Sequence, residues 1–513
     1  MHYLWWYVPQ LTAPMLIAAI AVIHILVSHY AVGGGIFLAS QIGRAYREDD
    51  IEYLAYLRRH TKFFILLTVV FGAITGVGIW WTIGLASPLA TEVLIKTFVF
   101  GWATEWVFFI VEIVSAFAMY YLWGRLDSRT HTQIAWIYAI AAWISLVLIT
   151  GITAFMLDPG WAESRIEPSG FLNNNAFWVA FFNPQFLPQT LARTGGALMV
   201  ACLYVLAHAS LTEKNDALRE KAVFRSGRFA VIGAILTFFG CVVSLLLMPS
   251  SAKQVFEAAA PLTVITGVFV SMSCILILLV FLGPVFRPKW VTPPTAIAMA
   301  LIGVVVLSSG EFIREAVRKP YIVYNVVFSN QVFPNEVATL QKDGYLEHGI
   351  GTKQFVTTYA EKNSLDLTTD GRIDLAKLST LPMDDSSSDA TPRADIGESI
   401  FIHHCNDCHA KNTGYSAIGP LTTGWSREKL LETIHTLHET KFTMPPWCGT
   451  DAEAELLADY LITIRPMAPK GMNRGETDAN VPNINDPHMN ATHVENHVEK
   501  TAANANAEQE VAQ

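Results

Sequence analysis

The sequence predicts an all-α membrane protein: a polytopic bundle of about eight transmembrane helices followed by a small α-helical soluble domain. Three observations carry this. The 513 residues are 52% hydrophobic and only 15% charged, against about 25% charged in ordinary globular chains. The apolar residues gather into eight blocks within the first 320 or so positions, each near the ~20 residues needed to cross a bilayer. The remaining stretch reads as soluble protein and carries most of the net charge of −9, which argues against a nucleic-acid partner.

The chain opens MHYLWWYVPQ, with aromatic residues and no basic segment. This pattern fits an interfacial aromatic belt better than a removable signal peptide. The apolar blocks run at roughly 11–41, 63–85, 95–121, 132–157, 191–212, 229–249, 259–285 and 293–314. The loops after blocks 1, 3, 5 and 7 hold fourteen basic residues: Arg44, Arg47, Arg58, Arg59, Lys62, Arg125, Arg129, Lys214, Arg219, Lys221, Arg225, Arg228, Arg287 and Lys289. The other side holds four: Lys96, Arg165, Arg193 and Lys253. Positive charge collects on the cytoplasmic side, so both ends of the bundle are expected to face outward.

Of six cysteines, Cys202, Cys241 and Cys274 lie in apolar blocks and read as small core residues. Cys405, Cys408 and His409 form CNDCH, while Cys448 is left over. CxxCH attaches haem through two thioethers, with the histidine as proximal iron ligand. The segment 395–468 has the length of a small cytochrome c domain and closes on DAEAELLADYLITI, apolar at helical spacing. Met444, in TMPPW, stands where a second axial ligand is expected. His403, His404, His435 and His438 are rival ligands, and plain packing is the rival role for Met444. One covalent haem c is therefore expected. Its attachment outside the cytoplasmic membrane agrees with the charge bias, giving a bacterial inner-membrane protein whose N-terminus and haem c domain lie on the outer side.

Residues 322–394 form an outer-side linker containing the tether-like MDDSSSDATPRAD. Residues 469–513, rich in Asn, Ala, Glu and His, are expected to be disordered. Their His488, His493 and His497 could bind stray metal, but a solvated tail explains them as well.

Ionisable groups inside a membrane usually face a bundle interior or a cofactor. Block 1 holds His24 and His29, and block 3 holds Glu105 and Glu112, two turns apart on roughly one face. Block 8 ends in GEFIREAVRKPY, with Glu311, Arg314, Glu315 and Arg318 at helical spacing. An interfacial ion-pair ladder would explain the last set. A hydrogen bond to a neighbouring helix would explain either histidine. Two acids in mid-span are harder to explain without proton transfer or haem ligation.

Residues ~11–325 resemble subunit I of the cytochrome bd oxidases. The residues that carry this are IHILVSHYAVGGGIFLAS, FGWATEWVFFIVEIVSAF and GEFIREAVRKPY. The resemblance implies His24 and Glu315 as axial ligands of two closely spaced b- or d-type haems, and Arg318 beside their propionates. It implies Glu105 and Glu112 on the proton path, although their spacing is one residue shorter than the family's. His29 remains an alternative to His24. The implied activity is reduction of oxygen to water, with a subunit II-like membrane partner.

Three departures qualify that expectation. Arg193 and Phe269 occupy the positions of the family's low-spin haem b ligands, so that haem is expected to be absent; His208 with Met272 is a possible substitute pair. The quinol loop between blocks 6 and 7 is reduced to PSSAKQVFEA. The haem c domain stands where the family has a ninth span. Electrons are therefore expected to enter through haem c, from an outer-side cytochrome c or another donor. The alternatives are an electron-transfer subunit without oxygen chemistry, and reduction of nitric oxide or another small gas.

Overall fold

The computed structural model describes residues 6–464 apart from 174, 259, 370–371, 381–391 and 415. The stretch 469–513 and most of MDDSSSDATPRAD lie outside the described residues.

Eight helices are long and apolar enough to cross a membrane: span 1 Ala13–Arg47, span 2 Ile51–Ala86, span 3 Val99–Tyr121, span 4 Ser128–Phe155, span 5 Phe186–Thr212, span 6 Asp216–Leu246, span 7 Pro261–Phe286 and span 8 Pro293–Ala316. Each apolar block falls on one of them to within four residues at either end. Several helices extend further than the blocks, because their polar ends pack on other protein. Span 2 begins at Ile51, where Asp50 accepts a hydrogen bond from the Tyr53 N–H (3.1 Å). Its first turns bury Tyr53, Tyr56, Leu57 and His60. Both span 2 (Leu66–Phe71) and span 7 (Phe281–Phe286) contain a widened π-turn, the second around Pro284.

Span 1 runs through the core. A Cβ at Gly33 would stand 2.0 Å from the Ala197 carbonyl oxygen of span 5, so only glycine permits that approach. Spans 5 and 6 meet nearly as closely at Gly195 and Gly233, where an added Cβ would stand 2.4 and 2.6 Å from the facing carbonyl oxygen. The basic end of the bundle is locked by ion pairs of Arg225 with Glu48 (2.5 Å), Lys221 with Asp50 (2.7 Å) and Arg59 with Glu213 (2.5 Å).

The opposite end carries the short helix Ser250–Ala258 between spans 6 and 7, and the connecting stretch after span 8. That stretch has structure of its own. β1 (Tyr321–Val323) and β2 (Val327–Phe328) pair antiparallel, and their apolar side chains join a core with Leu89, Phe98 and Phe155. Short helices follow at Val337–Asp343, Tyr345–His348 and Ile350–Lys362.

The soluble domain is built on two helices, Pro392–His404 and Asp451–Ile464. They cross at Gly397, where a Cβ would lie 2.2 Å from the Leu456 carbonyl oxygen. Asp459 receives Arg393 (2.5 Å) and Arg427 (2.8 Å), fixing a third helix, Arg427–His435, against the pair.

Candidate functional site

In the soluble domain, the CNDCH residues follow directly on the helix ending at His404. The N–H groups of Cys408 and His409 both donate to the Cys405 carbonyl, at 3.1 and 2.9 Å. This tight turn folds the CNDCH segment back on itself. His409 Nδ1 lies 2.8 Å from the Ser416 carbonyl. Only a protonated Nδ1 can donate there, so Nε2 keeps its lone pair for iron. Burial lowers the imidazole pKa below its usual value, favouring the neutral form that ligation needs.

Met444 sits on a turn closed by its own N–H to the Lys441 carbonyl (2.8 Å), and Lys441 lies within electrostatic reach of His409. Among the rival ligands, His435 uses both ring nitrogens, on the Leu431 carbonyl and on Asp451. His438 bonds the Met444 carbonyl (2.8 Å) and His403 bonds the Ser399 carbonyl (2.7 Å). His404 packs against Tyr345 and Trp447. Cys448 is buried with Val332, Leu340 and Tyr345, as a core residue.

In the bundle, His24 and His29 stand on different sides of span 1. Five residues turn a helix by about 140° beyond a full revolution. His24 faces span 2: its Nδ1 is 3.0 Å from the Thr75 hydroxyl, and a Cβ at Gly76 would press on its ring. The Thr75 hydroxyl hydrogen is directed at the carbonyls of Phe71 (3.0 Å) and Gly72 (3.1 Å). With its hydrogen so used, the Thr75 oxygen can accept from a His24 Nδ1–H, which would leave Nε2 a lone pair. His29 faces Gly196 of span 5 and feels the charges of Arg193 and Glu311.

Glu311 pairs with Arg314 (2.9 Å) and lies in the field of Arg193. Phe269 of span 7 covers the adjacent Gly310. Arg193 and Phe269 thus both lie near this turn of span 8. One turn later, Glu315 receives Arg318 Nη2. Arg318 is 2% exposed, and its Nη1 donates to the Ile322 carbonyl (2.6 Å). Its buried Nε has no partner. An orphaned guanidinium N–H beside a carboxylate suits a propionate-bearing haem, so the donor set fits the expected group.

On span 3, Glu105 accepts from the Ser145 hydroxyl (2.9 Å), and Ser145 is also within reach of Glu112. Glu112 in turn faces Tyr138 of span 4. No hydrogen bond or ion pair among the described residues joins His24 or the span 3 acids to Glu315. His208 packs on His60 and Phe63 at the basic end of span 5, roughly 22 Å along the helix from Arg193. His208 and Arg193 thus lie towards opposite ends of span 5.

The description "Cytochrome bd terminal oxidase subunit I" matches residues 13–260. The description "Cytochrome C oxidase, cbb3-type, subunit III" matches residues 392–461. The chain carries a cytochrome bd subunit I domain and a cytochrome c domain. A solved bd oxidase structure from Geobacillus thermodenitrificans has the same fold, at a TM-score of 0.53 and 18% identity. The similarity covers 69% of this chain and 95% of that one. No curated protein matches the chain. The bd domain and the cytochrome c domain together make this a haem-bearing electron-transport protein of the membrane.

Several relevant residues gave no sequence signal. Thr75 fixes His24 from another helix. Lys319 pairs with Asp407 (2.9 Å) across 88 positions, and Phe442 contacts the bundle. Only the fold brings these partners together.

Proposed function

We propose that this chain is the haem-bearing subunit of a bd-like terminal oxidase that takes its electrons through its own haem c and not from quinol. One observation carries the reading. The end of the bundle where the bd pattern has its quinol loop is built differently here. The loop is a nine-residue helix, Ser250–Ala258, and the cytochrome c domain packs on it.

His24 and Glu315 would hold two haems, and Arg318 would pair with a propionate. Haem bound there supplies oxygen binding and the acceptance of single electrons. The residues around it set its environment. Thr75 holds the His24 ring in the tautomer with Nε2 free. Arg318 is held by the Ile322 carbonyl with its Nε available. Glu105, Ser145 and Glu112 form a polar line through spans 3 and 4 that would carry protons inward from the cytoplasmic side. The Arg193, Glu311 and Arg314 charges compensate one another where the bd pattern has a low-spin haem b.

Haem c is held by Cys405, Cys408, His409 and Met444. The basic loops are assigned to the cytoplasm, and the cytochrome c domain to the outer side of a bacterial inner membrane. A subunit II-like protein is the proposed membrane partner, and an outer-side cytochrome c or similar carrier the donor.

The test is oxygen uptake by the purified complex, fed first with ascorbate and a mediator and then with a quinol. Uptake with ascorbate alone is expected. Uptake with quinol would overturn the reading of the short loop. No uptake from either source, with haem c fully reducible, would leave an electron-transfer subunit or reduction of another gas.

A further inference from the structure

The cytochrome c domain could sit anywhere that a tether allowed, yet three separate contacts fix it on the end of the bundle away from the basic loops. The first is the ion pair between Lys319 and Asp407 (2.9 Å). Asp407 lies between the two haem-attaching cysteines and is 3% exposed. Lys319 follows Arg318 and is four residues beyond Glu315. Burial opposes charge on Lys319, but the Asp407 carboxylate beside it holds the ammonium pKa above its usual value.

The second contact is apolar. Phe442, two residues before Met444, packs into a cluster of Leu157, Met248, Ala252, Val255, Leu262 and Val317. These residues come from the ends of spans 4, 6, 7 and 8 and from the short Ser250–Ala258 helix. The third contact lies at the chain's start: Lys411 stands 4.5 Å over the Tyr7 ring. The Gly414 backbone meets Gln10 so closely that a Cβ would be 2.0 Å from its carbonyl oxygen.

The first two contacts involve the two segments that carry the haem c ligands: Asp407 lies between the cysteines, and Phe442 lies two residues before Met444. Lys319, and Val317 of the cluster that Phe442 packs on, flank Arg318. A haem held by Cys405, Cys408, His409 and Met444 would therefore be carried on a domain seated at the end of span 8.

From this we infer that the Lys319–Asp407 pair and the Phe442 contact hold the cytochrome c domain as a fixed donor over span 8, making its end the point where electrons enter the bundle. The inference rests on the proposed function for the haem assignments. The step is a one-electron transfer without bond making: the haem c iron goes from ferrous to ferric, and the receiving iron near Glu315 from ferric to ferrous. Lys319 and Phe442 are positioning residues. They set how often the two groups stand at transfer distance.

The experiment uses the full complex. Haem c is reduced by a flash-excited ruthenium reductant, and the arrival of the electron at the membrane haems is followed optically. Amide exchange is measured over residues 250–258 and 437–444. In Lys319→Gln, transfer is expected to slow on the order of tenfold as the docked fraction falls. The haem c spectrum should stay unchanged, and exchange in both segments should quicken. Phe442→Ser should act in the same direction. The exchanged pair Lys319→Asp with Asp407→Lys, checked for haem attachment, should recover most of the rate.

Native transfer and native exchange in both single variants would overturn the inference. A native complex whose haem c reduces while the membrane haems never follow would sink both the electron-entry claim and the oxidase reading. Exchange would then still decide the docking contacts by themselves.

Discussion

Two acid–arginine pairs stand one helical turn apart at the end of span 8, and they differ in what surrounds them. Glu311 has Arg314 at 2.9 Å, the field of Arg193 and His29 nearby. Its charge is answered entirely by protein. Glu315 has Arg318 as its hydrogen-bonded pair, with Lys319 and Arg314 in its field, and Arg318 keeps a buried Nε with no partner. The first group is closed and the second unfinished. A buried polar atom without a partner costs about 1–3 kcal/mol, and such a cost persists where a ligand completes the site. The comparison separates a corner whose charges are met by protein groups from one that keeps a buried donor open, as the proposed haem assignment requires.

The largest expected effect follows from that contrast. Arg318→Gln removes the group offered to a propionate and leaves Glu315 without its pair, a loss on the order of 3 kcal/mol for a buried ion pair. Membrane haem, measured as a ratio to haem c in the pyridine haemochrome spectrum, is expected to fall to a small fraction. Oxygen uptake should drop about a hundredfold or more, as that energy implies. Arg314→Gln should leave the haem ratio unchanged, because Arg193 still faces Glu311. Equal haem loss in both variants would erase the distinction between the pairs.

A middle-sized effect tests the closed group from the other side. Arg193→His with Phe269→Met restores the two residue types of the bd pattern. A low-spin haem b signal is still not expected, because Glu311 and Arg314 occupy the same corner. The double variant should instead lose stability by roughly 1–3 kcal/mol, since Glu311 has one positive neighbour fewer. A thermal melt and a reduced-minus-oxidised spectrum check both statements. A new six-coordinate low-spin band would mean that ligand loss alone had emptied the site.

Some of this was legible in the sequence, and the physical reason is range. Apolar blocks are local, so all eight spans were visible. The haem c attachment residues lie within five positions of one another, and their spacing is itself the chemistry. The helical repeat placed Glu311, Arg314, Glu315 and Arg318 on one side of span 8. What could not be read depends on partners far apart in the chain. The Ile51–Ile65 part of span 2 is too polar for a membrane signal and is stabilised by burial of Tyr53 and His60. The connecting stretch reads as polar over most of its length, because its apolar residues, among them Val323 and Val327, gather in its first dozen positions (IVYNVVFSNQVF) and pack on distant parts of the chain. The docking of Phe442 into a cluster drawn from five segments leaves no periodic trace.

Glu105 has an intermediate standing, and the smallest effect decides which kind of group it is. Its carboxylate accepts a hydrogen bond from the Ser145 hydroxyl at 2.9 Å, with Glu112 close to the same oxygen. If that hydroxyl merely satisfies a buried acid, Ser145→Ala costs about 0.5–1.5 kcal/mol of stability and leaves turnover alone. If the Ser145 hydroxyl relays protons between the two acids, turnover falls about three- to tenfold, the rate equivalent of a similar energy placed on the barrier. Membrane haem content and spectra should stay native in either case, because Ser145 touches none of the assigned ligands. The expected result is the loss of turnover, with a larger solvent deuterium effect than in the parent. Native turnover with a lowered melting temperature would place Glu105 with the closed groups and move the proton route away from span 3.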